Sequence, residues 1–186
     1  FALLGQLGND TVYITILRRT HFGNKDGMVR WIRKGDGTWG HDFTIAERYL
    51  DLAIKYLGKP AVVSLYVWEV YTGNVWAFGG KGDGKGQGLG FTILDPATGA
   101  LEEAVGPEWG TPELREFLKP VLHGMREMLR KRGLEDSMLV GIAGDNRPSK
   151  AAVEDLRVLL PEAKWEAHTH PFLNSLHGQN VGYLAC

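Results

Sequence analysis

The sequence has little of three features that would narrow its class at once: cysteine, unbalanced charge and long apolar runs. Its single cysteine, Cys186, is the last residue, which excludes an internal disulfide framework and a cysteine-rich metal site. Basic and acidic residues number 21 and 22 and are scattered, so the net charge of -1 offers no footprint for nucleic acid. No apolar run approaches the roughly 20 residues of a membrane-spanning helix. We therefore expect neither a nucleic-acid nor a membrane partner.

What the sequence does contain is an alternation of short apolar runs with helical patterns. Helices are predicted to begin near Thr44, Thr111 and Pro148, where apolar residues recur at helical spacing. The runs predicted as strands are Thr11–Leu17, Ala61–Trp68, Met138–Ala143, Ala163–Ala167 and Asn180–Cys186. Such alternation is typical of βαβ units with a parallel sheet. Five strands make about half of a (β/α)8 barrel, so we expect an α/β fold of the partial TIM-barrel type. An open doubly wound sheet is the alternative.

Two connections are long enough to need their own interpretation. The segment Arg18–His41 is rich in Gly and Trp and is predicted as a loop. Residues 72–110 lack a helical period and are expected to form a long insertion, a candidate lid, with one strand at Phe91–Leu94. Within it, Gly79–Lys85 matches the spacing G-x-x-x-x-G-K, but Gly86 stands where Ser or Thr would bind magnesium. The glycine-rich run therefore predicts a flexible loop and not a nucleotide site.

The chain reads as one α/β domain over residues 1–186. It begins at Phe1, not at methionine, and it closes on an apolar stretch that resembles a strand cut short. We therefore expect an internal piece of a longer protein.

Polar side chains follow the predicted strands. Glu69 comes directly after Ala61–Trp68, and Asp145 follows the strand that begins at Met138. The carboxyl ends of parallel strands share one edge, where ligands bind in α/β proteins. Glu69 would have a raised pKa because the apolar Trp68 ring would lie beside it, and it would act as a general acid. Asp145 would orient a substrate amide or hydroxyl; the alternatives are an ion pair for Glu69 and a helix cap for Asp145.

Two histidines form the most specific local cluster. His168 and His170 are two residues apart, which places both rings on one face of an extended strand, as a metal site requires. Glu69 and Asp145 would complete such a centre, but no third ligand has diagnostic spacing. Neutral histidines that donate hydrogen bonds to a substrate are favoured, so we expect no metal and no cofactor.

Aromatic residues gather at a strand end and in the predicted connections. The tryptophans concerned are Trp31, Trp39, Trp68, Trp76 and Trp109. Aromatic faces stack on the C–H faces of sugar rings, whereas the alternative is that each ring packs a loop onto the rim. We expect Trp68, Trp76 and Trp109 to form a sugar platform, with Tyr71, Asn146 and Arg147 as further contacts.

The stretch from Thr92 to Pro171, which includes DPATGALEEAVGPEWGTPELREFLKPVLHG and LVGIAGDNRPSKAAVEDLRVLLPEAKWEAHTHP, resembles the barrel domain of a largely uncharacterised bacterial group. That group is related to glycoside hydrolase family 123, whose members act on β-linked N-acetylgalactosamine. The resemblance implies substrate-assisted hydrolysis, in which an Asp orients the 2-acetamido group as nucleophile and an adjacent Glu protonates the leaving oxygen. Asp145 fits the first role. Asn146 stands where the acid is expected and has no acidic proton to donate, so three interpretations stay open: Glu69 supplies the acid from a neighbouring strand, the chain lacks part of the site, or this group carries out different chemistry.

The function expected from the sequence is therefore a glycosidase-type hydrolase acting on a glycan, without a cofactor. The resemblance implies an extracellular or periplasmic location. Two alternatives stay open: a metal-dependent hydrolase built on His168 and His170, and a glycan-binding barrel that has lost its acid.

Overall fold

The computed structural model of the chain describes residues 1–20, 24–68, 88–143, 147–169 and 174–185. The helices in this part are α1 (Ala2–Gln6), α2 (Thr44–Leu57), α3 (Pro112–Lys131) and α4 (Lys150–Leu159), and a 3-10 turn spans Glu135–Ser137. The strands are β1 (Thr11–Thr15), β2 (Arg30–Arg33), β3 (Trp39–Asp42), β4 (Val62–Tyr66), β5 (Gly90–Leu94), β6 (Leu101–Val105), β7 (Met138–Ala143), β8 (Lys164–His168), β9 (Ser175–Leu176) and β10 (Gln179–Ala185). None of the described helices is both long and apolar enough to cross a membrane.

Six strands form the larger sheet, in the order β1-β4-β7-β8-β10-β9. The first five are parallel, and β9 pairs antiparallel with β10. The predicted α/β class with a parallel sheet is confirmed. These five strands follow each other in space in the order in which they occur in the chain. A doubly wound sheet instead reverses its strand order at a switch point, and the described strands contain no such reversal.

The two faces of the parallel sheet differ in chemistry because successive side chains of a strand point to opposite sides. One face is buried and mainly aliphatic, and it joins the apolar sides of α2, α3 and α4 in a single core. Its strand residues are Val12, Ile14, Val63, Leu65, Val140, Ile142, Trp165 and Ala167. The opposite face, here called the polar face, carries Tyr13, Ser64, Tyr66, Gly141, Glu166 and His168.

A second sheet, in the order β3-β2-β5-β6, corrects the prediction that Arg18–His41 is only a loop. The strands β2 and β3 form an antiparallel pair there, and β2 pairs with β5 from the 72–110 segment. Trp31 on β2 is fully buried, with its ring centroid 5.0 Å from Phe91 and 5.3 Å from Phe117 of α3. Trp39 lies 5.6 Å from the same Phe91 ring. These two tryptophans therefore pack the second sheet onto α3, and Trp31 has no face left for a ligand.

Candidate active site at the ends of the parallel strands

The candidate site begins where β4, β7 and β8 end. These strands are neighbours in the parallel sheet, so their last residues, Tyr66, Ala143 and His168, belong to one edge. Glu69 comes three residues after β4, and Asp145 two residues after β7. Six predicted site residues lie outside the described residues, namely Glu69, Tyr71, Trp76, Asp145, Asn146 and His170. The structure thus brings together the strands that lead to the predicted carboxylates.

Two predicted contact residues flank this edge. His168, the last residue of β8, is exposed, and its ring lies 6.3 Å from that of Tyr13 in a stacked orientation. Trp68, just past β4, is only 8% exposed. A ring buried to that degree has little free face for a sugar, so His168 is the more accessible of the two.

The other two described predictions lie near α3 and α4. Trp109 is half-buried against the core. The next residue, Gly110, donates its N–H to Asp155 of α4 over 2.6 Å, which ties this turn to the helix layer. Arg147 is exposed and precedes α4. The roles of Trp109 and Arg147 as substrate contacts stay predictions.

Glu166, in the middle of β8, is a further candidate that was not predicted from the sequence. Its side chain is fully buried on the polar face, and its Oε2 accepts a hydrogen bond of 2.7 Å from the Ser64 hydroxyl on β4. Its Oε1 has no hydrogen-bond partner among the described residues. Burial raises the pKa of this carboxyl to about 7, although the bond from Ser64 acts in the opposite direction. Glu166 is therefore a buried acid that holds its proton up to neutral pH.

Gly141 of β7 makes the contact between Ser64 and Glu166 sterically possible. It is the register partner of Glu166 and lies between the two strands that the hydrogen bond joins. A Cβ at this position would come within 2.0 Å of the Ser64 hydroxyl oxygen and 2.2 Å of Cε1 of Tyr66. Both approaches are far inside van der Waals contact. Only glycine lets the side chains of β4 cross β7 and reach β8.

Above this contact lie three rings from three strands. The Tyr66 ring is buried and stacks on Tyr13 of β1 at 5.3 Å, and Tyr13 in turn stacks on His168. Burial raises the pKa of the Tyr66 phenol well above its usual value, with smaller contributions from the nearby Glu166 and Tyr13. Tyr66 is therefore a neutral group at physiological pH.

The register of the strands explains how side chains two strands apart meet. Ser64 is opposite Leu139 of β7, and Leu139 is opposite Lys164 of β8. Glu166 thus lies two residues further along than the direct partner of Ser64, an offset of one residue for each strand crossed. Tyr66 and His168 have the same offset and form the next pair towards the strand ends.

One sequence signal could have revealed Glu166. It is an acidic residue between Trp165 and Ala167, inside a strand whose neighbours are apolar. Acidic side chains are almost never fully buried unless they are paired, so such a position deserves a search for a partner. The partner, Ser64, is 102 residues away in the chain, and no local pattern points to it.

The metal centre on His168 and His170 stays an alternative. Across the described ranges, no group of three or more His, Cys, Asp or Glu side chains is arranged to hold a metal ion. Three of the four proposed ligands, Glu69, Asp145 and His170, fall outside those ranges.

Comparison with known proteins decides the family. The model of the glycoside hydrolase 123 catalytic domain matches residues 2–175. The chain belongs to glycoside hydrolase family 123. The resemblance seen in the sequence is thereby confirmed. Among curated proteins, the comparison finds no match.

A solved structure agrees with this assignment at the level of fold. It is a family 123 glycoside hydrolase from Clostridium perfringens, studied for the details of glycolipid glycan hydrolysis. It shares 13% sequence identity with this chain at a TM-score of 0.63, and the match covers 90% of this chain. The chain spans 29% of the length of that protein.

Proposed function

We propose that this chain forms part of the catalytic domain of a glycoside hydrolase that cleaves glycans. The observation that carries the proposal is the family 123 match over residues 2–175. The geometry supports it, because aromatic rings and a buried carboxyl with a raised pKa share one face of a parallel sheet close to the ends of its strands. Strand ends of this kind are where α/β enzymes bind their substrates.

The fold that fits this function is part of a (β/α)8 barrel whose interior is the polar face. Three strand spacings separate β1 from β8, about 14 Å in a flat sheet. The rings of Tyr13 and His168 nevertheless lie 6.3 Å apart, which supports a sheet that is concave on this side. The offset of one residue per strand between Ser64 and Glu166 matches a barrel of eight strands with a shear of about 8, whose interior layers come from alternate strands.

The proposed substrate class is a β-linked N-acetylhexosaminide. Asp145 would orient the 2-acetamido group, whose oxygen attacks the anomeric carbon, and Glu69 would protonate the leaving oxygen. The strands that precede these residues, β4 and β7, are direct neighbours, at a typical spacing of about 4.8 Å. That spacing supports two carboxylates acting on one sugar ring. The glycan of a glycolipid, which is the type of substrate studied for the Clostridium enzyme, is one source of such a sugar.

Glu69 is preferred as the acid over two other residues. Asn146, next to Asp145 in the chain, has no proton of suitable acidity to donate. Glu166 has a pKa suited to an acid, but its carboxyl is fully buried one layer beneath the rings of Tyr66 and His168. A proton donor must reach the leaving oxygen within hydrogen-bond distance, which favours a residue beyond the strand end.

The test measures hydrolysis by the longest folded form of the protein on N-acetylgalactosaminides and N-acetylglucosaminides with two leaving groups, nitrophenol and an alkyl alcohol. Asp145→Asn should remove activity on both. Glu69→Gln should lower kcat/KM by about 10²–10⁴-fold on the alkyl glycoside and much less on the nitrophenyl glycoside, since a good leaving group needs no acid. Glu154→Gln, an exposed acid on α4 that lies 3.6 Å from Lys150, is the control and should leave both rates unchanged.

The outcomes separate the alternatives. Turnover that a chelator abolishes would favour the metal-dependent hydrolase instead. Sugar binding without turnover on any glycoside would favour the glycan-binding barrel. The absence of both binding and turnover would contradict the proposed function.

A further inference from the structure

Glu166 is a buried acid on the polar face to which the proposed reaction assigns no role. We propose that Glu166 is a positioning residue of this site: its carboxyl, bonded to Ser64 across Gly141, holds the ends of β4 and β8 at the spacing that a bound sugar requires. The inference rests on the proposed function, since the two strand ends it joins lead to the proposed acid and to the histidines.

The position of the hydrogen bond relative to the strand ends is the first argument. Ser64 lies two residues before the end of β4 at Tyr66, and Glu166 lies two residues before the end of β8 at His168. The bond of 2.7 Å between them therefore lies one layer beneath the edge. It spans the intervening strand β7 and is additional to the backbone ladder. A change in this bond would therefore act on both flanking strands at once.

The second argument is the absence of a side chain at Gly141. Even a methyl group there would overlap both the Ser64 hydroxyl and the Tyr66 ring. The space above Gly141 is thus filled by the hydroxyl and the ring, which approach from β4 towards Glu166. The same geometry holds the Tyr66 ring against the Tyr13 ring, with their centroids 5.3 Å apart. These two rings form the surface of the polar face nearest the strand ends.

The third argument is that the carboxyl is incompletely paired. Its Oε1 accepts no hydrogen bond from any described residue, and among those residues the carboxyl has one partner, the neutral hydroxyl of Ser64. A buried carboxylate without a cation or several donors is unfavourable, so this environment favours the protonated form of the group. On ionisation the bond from Ser64 would strengthen, but the charged Oε1, which has no donor among the described residues, would draw water between the strands. The site should therefore bind best when Glu166 is protonated.

Other groups on this face must be separated from Glu166 in any test of pH dependence. Among the described residues of this face, the titratable or charged ones are Tyr66 on β4, Tyr13 on β1, and His168 and exposed Lys164 on β8. The strand β7 contributes Leu139 and Gly141, which carry no charge. Tyr183 of β10 is the register partner of Glu166 on the other side. A pH effect belongs to Glu166 only if the isosteric variant Glu166→Gln removes it.

The experiment follows two signals in the longest folded form of the protein between pH 5 and pH 9. The first is the infrared C=O stretch of a protonated carboxyl, which should titrate near pH 7 in the wild type and be missing from Glu166→Gln. The second is the affinity for free N-acetylgalactosamine and N-acetylglucosamine, measured by calorimetry. With a carboxyl pKa of about 7, the protonated fraction and the affinity should fall about tenfold from pH 6 to pH 8. In Glu166→Gln the affinity should not show this fall.

Asp155→Asn is the control, because Asp155 is also fully buried but belongs to the helix layer. It should keep the infrared band and the fall in affinity whatever it does to stability. A sugar affinity with the same pH dependence in Glu166→Gln and wild type would overturn the positioning role, as would a wild type without the titrating band. Failure of the wild type to bind either sugar at any pH, with the band present, would instead contradict the proposed function and the role of Glu166 with it.

Discussion

Two carboxyl side chains in the described part of the chain are fully buried, and they differ in how completely their oxygens are hydrogen-bonded. In the helix layer, Asp155 of α4 accepts a hydrogen bond from Nε of Arg115 on one oxygen and from the Gly110 N–H on the other, each over 2.6 Å. On the polar face of the sheet, Glu166 receives one bond from a neutral hydroxyl and leaves its second oxygen without a partner.

The difference is the one expected between a structural contact and a functional site. Asp155 uses both oxygens to join α4, α3 and the turn before α3, so its burial is compensated by an ion pair and an amide. Glu166 is compensated only in part, and burial raises its pKa to about 7. Incompletely paired buried acids with shifted pKa values cluster at functional sites.

The largest expected effect tests the structural side of this comparison. Asp155→Ala should lower the free energy of unfolding by about 4 kcal/mol, because it leaves both Arg115 and the Gly110 N–H without their partner. Chemical denaturation measures this value. Glu154→Ala, an exposed acid at the preceding position of α4, should change stability by less than about 0.5 kcal/mol. Equal effects of the two changes would show that the two bonds of buried Asp155 add no more stability than an exposed acid does.

The next prediction concerns Glu166 and the pH dependence of the free energy of unfolding. The pKa of Glu166 is about 7 in the folded state and 4.5 in a model peptide, so the folded state binds the proton more tightly. The contribution of protonated Glu166 to the free energy of unfolding is fully present below pH 4.5. It falls as the pH rises to 7 and does not change further above that. At 1.36 kcal/mol per pKa unit, wild type should lose about 3 kcal/mol over this range relative to Glu166→Gln. Urea denaturation of both proteins from pH 4 to pH 8 measures the difference. A constant difference would mean that Glu166 titrates normally.

The smallest effect concerns the glycine that permits the contact. Gly141→Ala should lower the free energy of unfolding by about 2 kcal/mol, since the new methyl group displaces the Ser64 hydroxyl and the Tyr66 ring. The control is Gly35→Ala, at a position where a Cβ would meet nothing within 4 Å. If both alanine variants unfold at the same urea concentration, β7 is not crowded at Gly141 and the steric argument fails.

Much of the parallel sheet could be predicted from apolar runs. Met138–Ala143 has the same bounds in the sequence prediction and in β7. The predicted Thr11–Leu17 and Ala61–Trp68 are longer than β1 and β4, because Leu17, Val67 and Trp68 are buried although they lie beyond the strand ladder. Apolar pattern reports burial, and burial continues past the last hydrogen bond of a strand.

The second sheet could not be predicted in the same way. The strand β3 has the sequence WGHD, with no β-branched residue, and all four of its residues are only partly buried. Its strand structure depends on pairing with β2, which pairs in turn with β5 some 60 residues later. Non-local pairing of this kind leaves no periodic signal in a single sequence.

The sequence by itself determined the α/β class and the positions of polar residues after the strands, because hydrophobic periodicity and chain order are local properties. The family resemblance was readable from it as well. Only the tertiary structure decided the state of Glu166, since its pKa depends on burial and on which donors reach it. Those conditions are set by Ser64 from a strand 102 residues away and by the missing side chain of Gly141 between them.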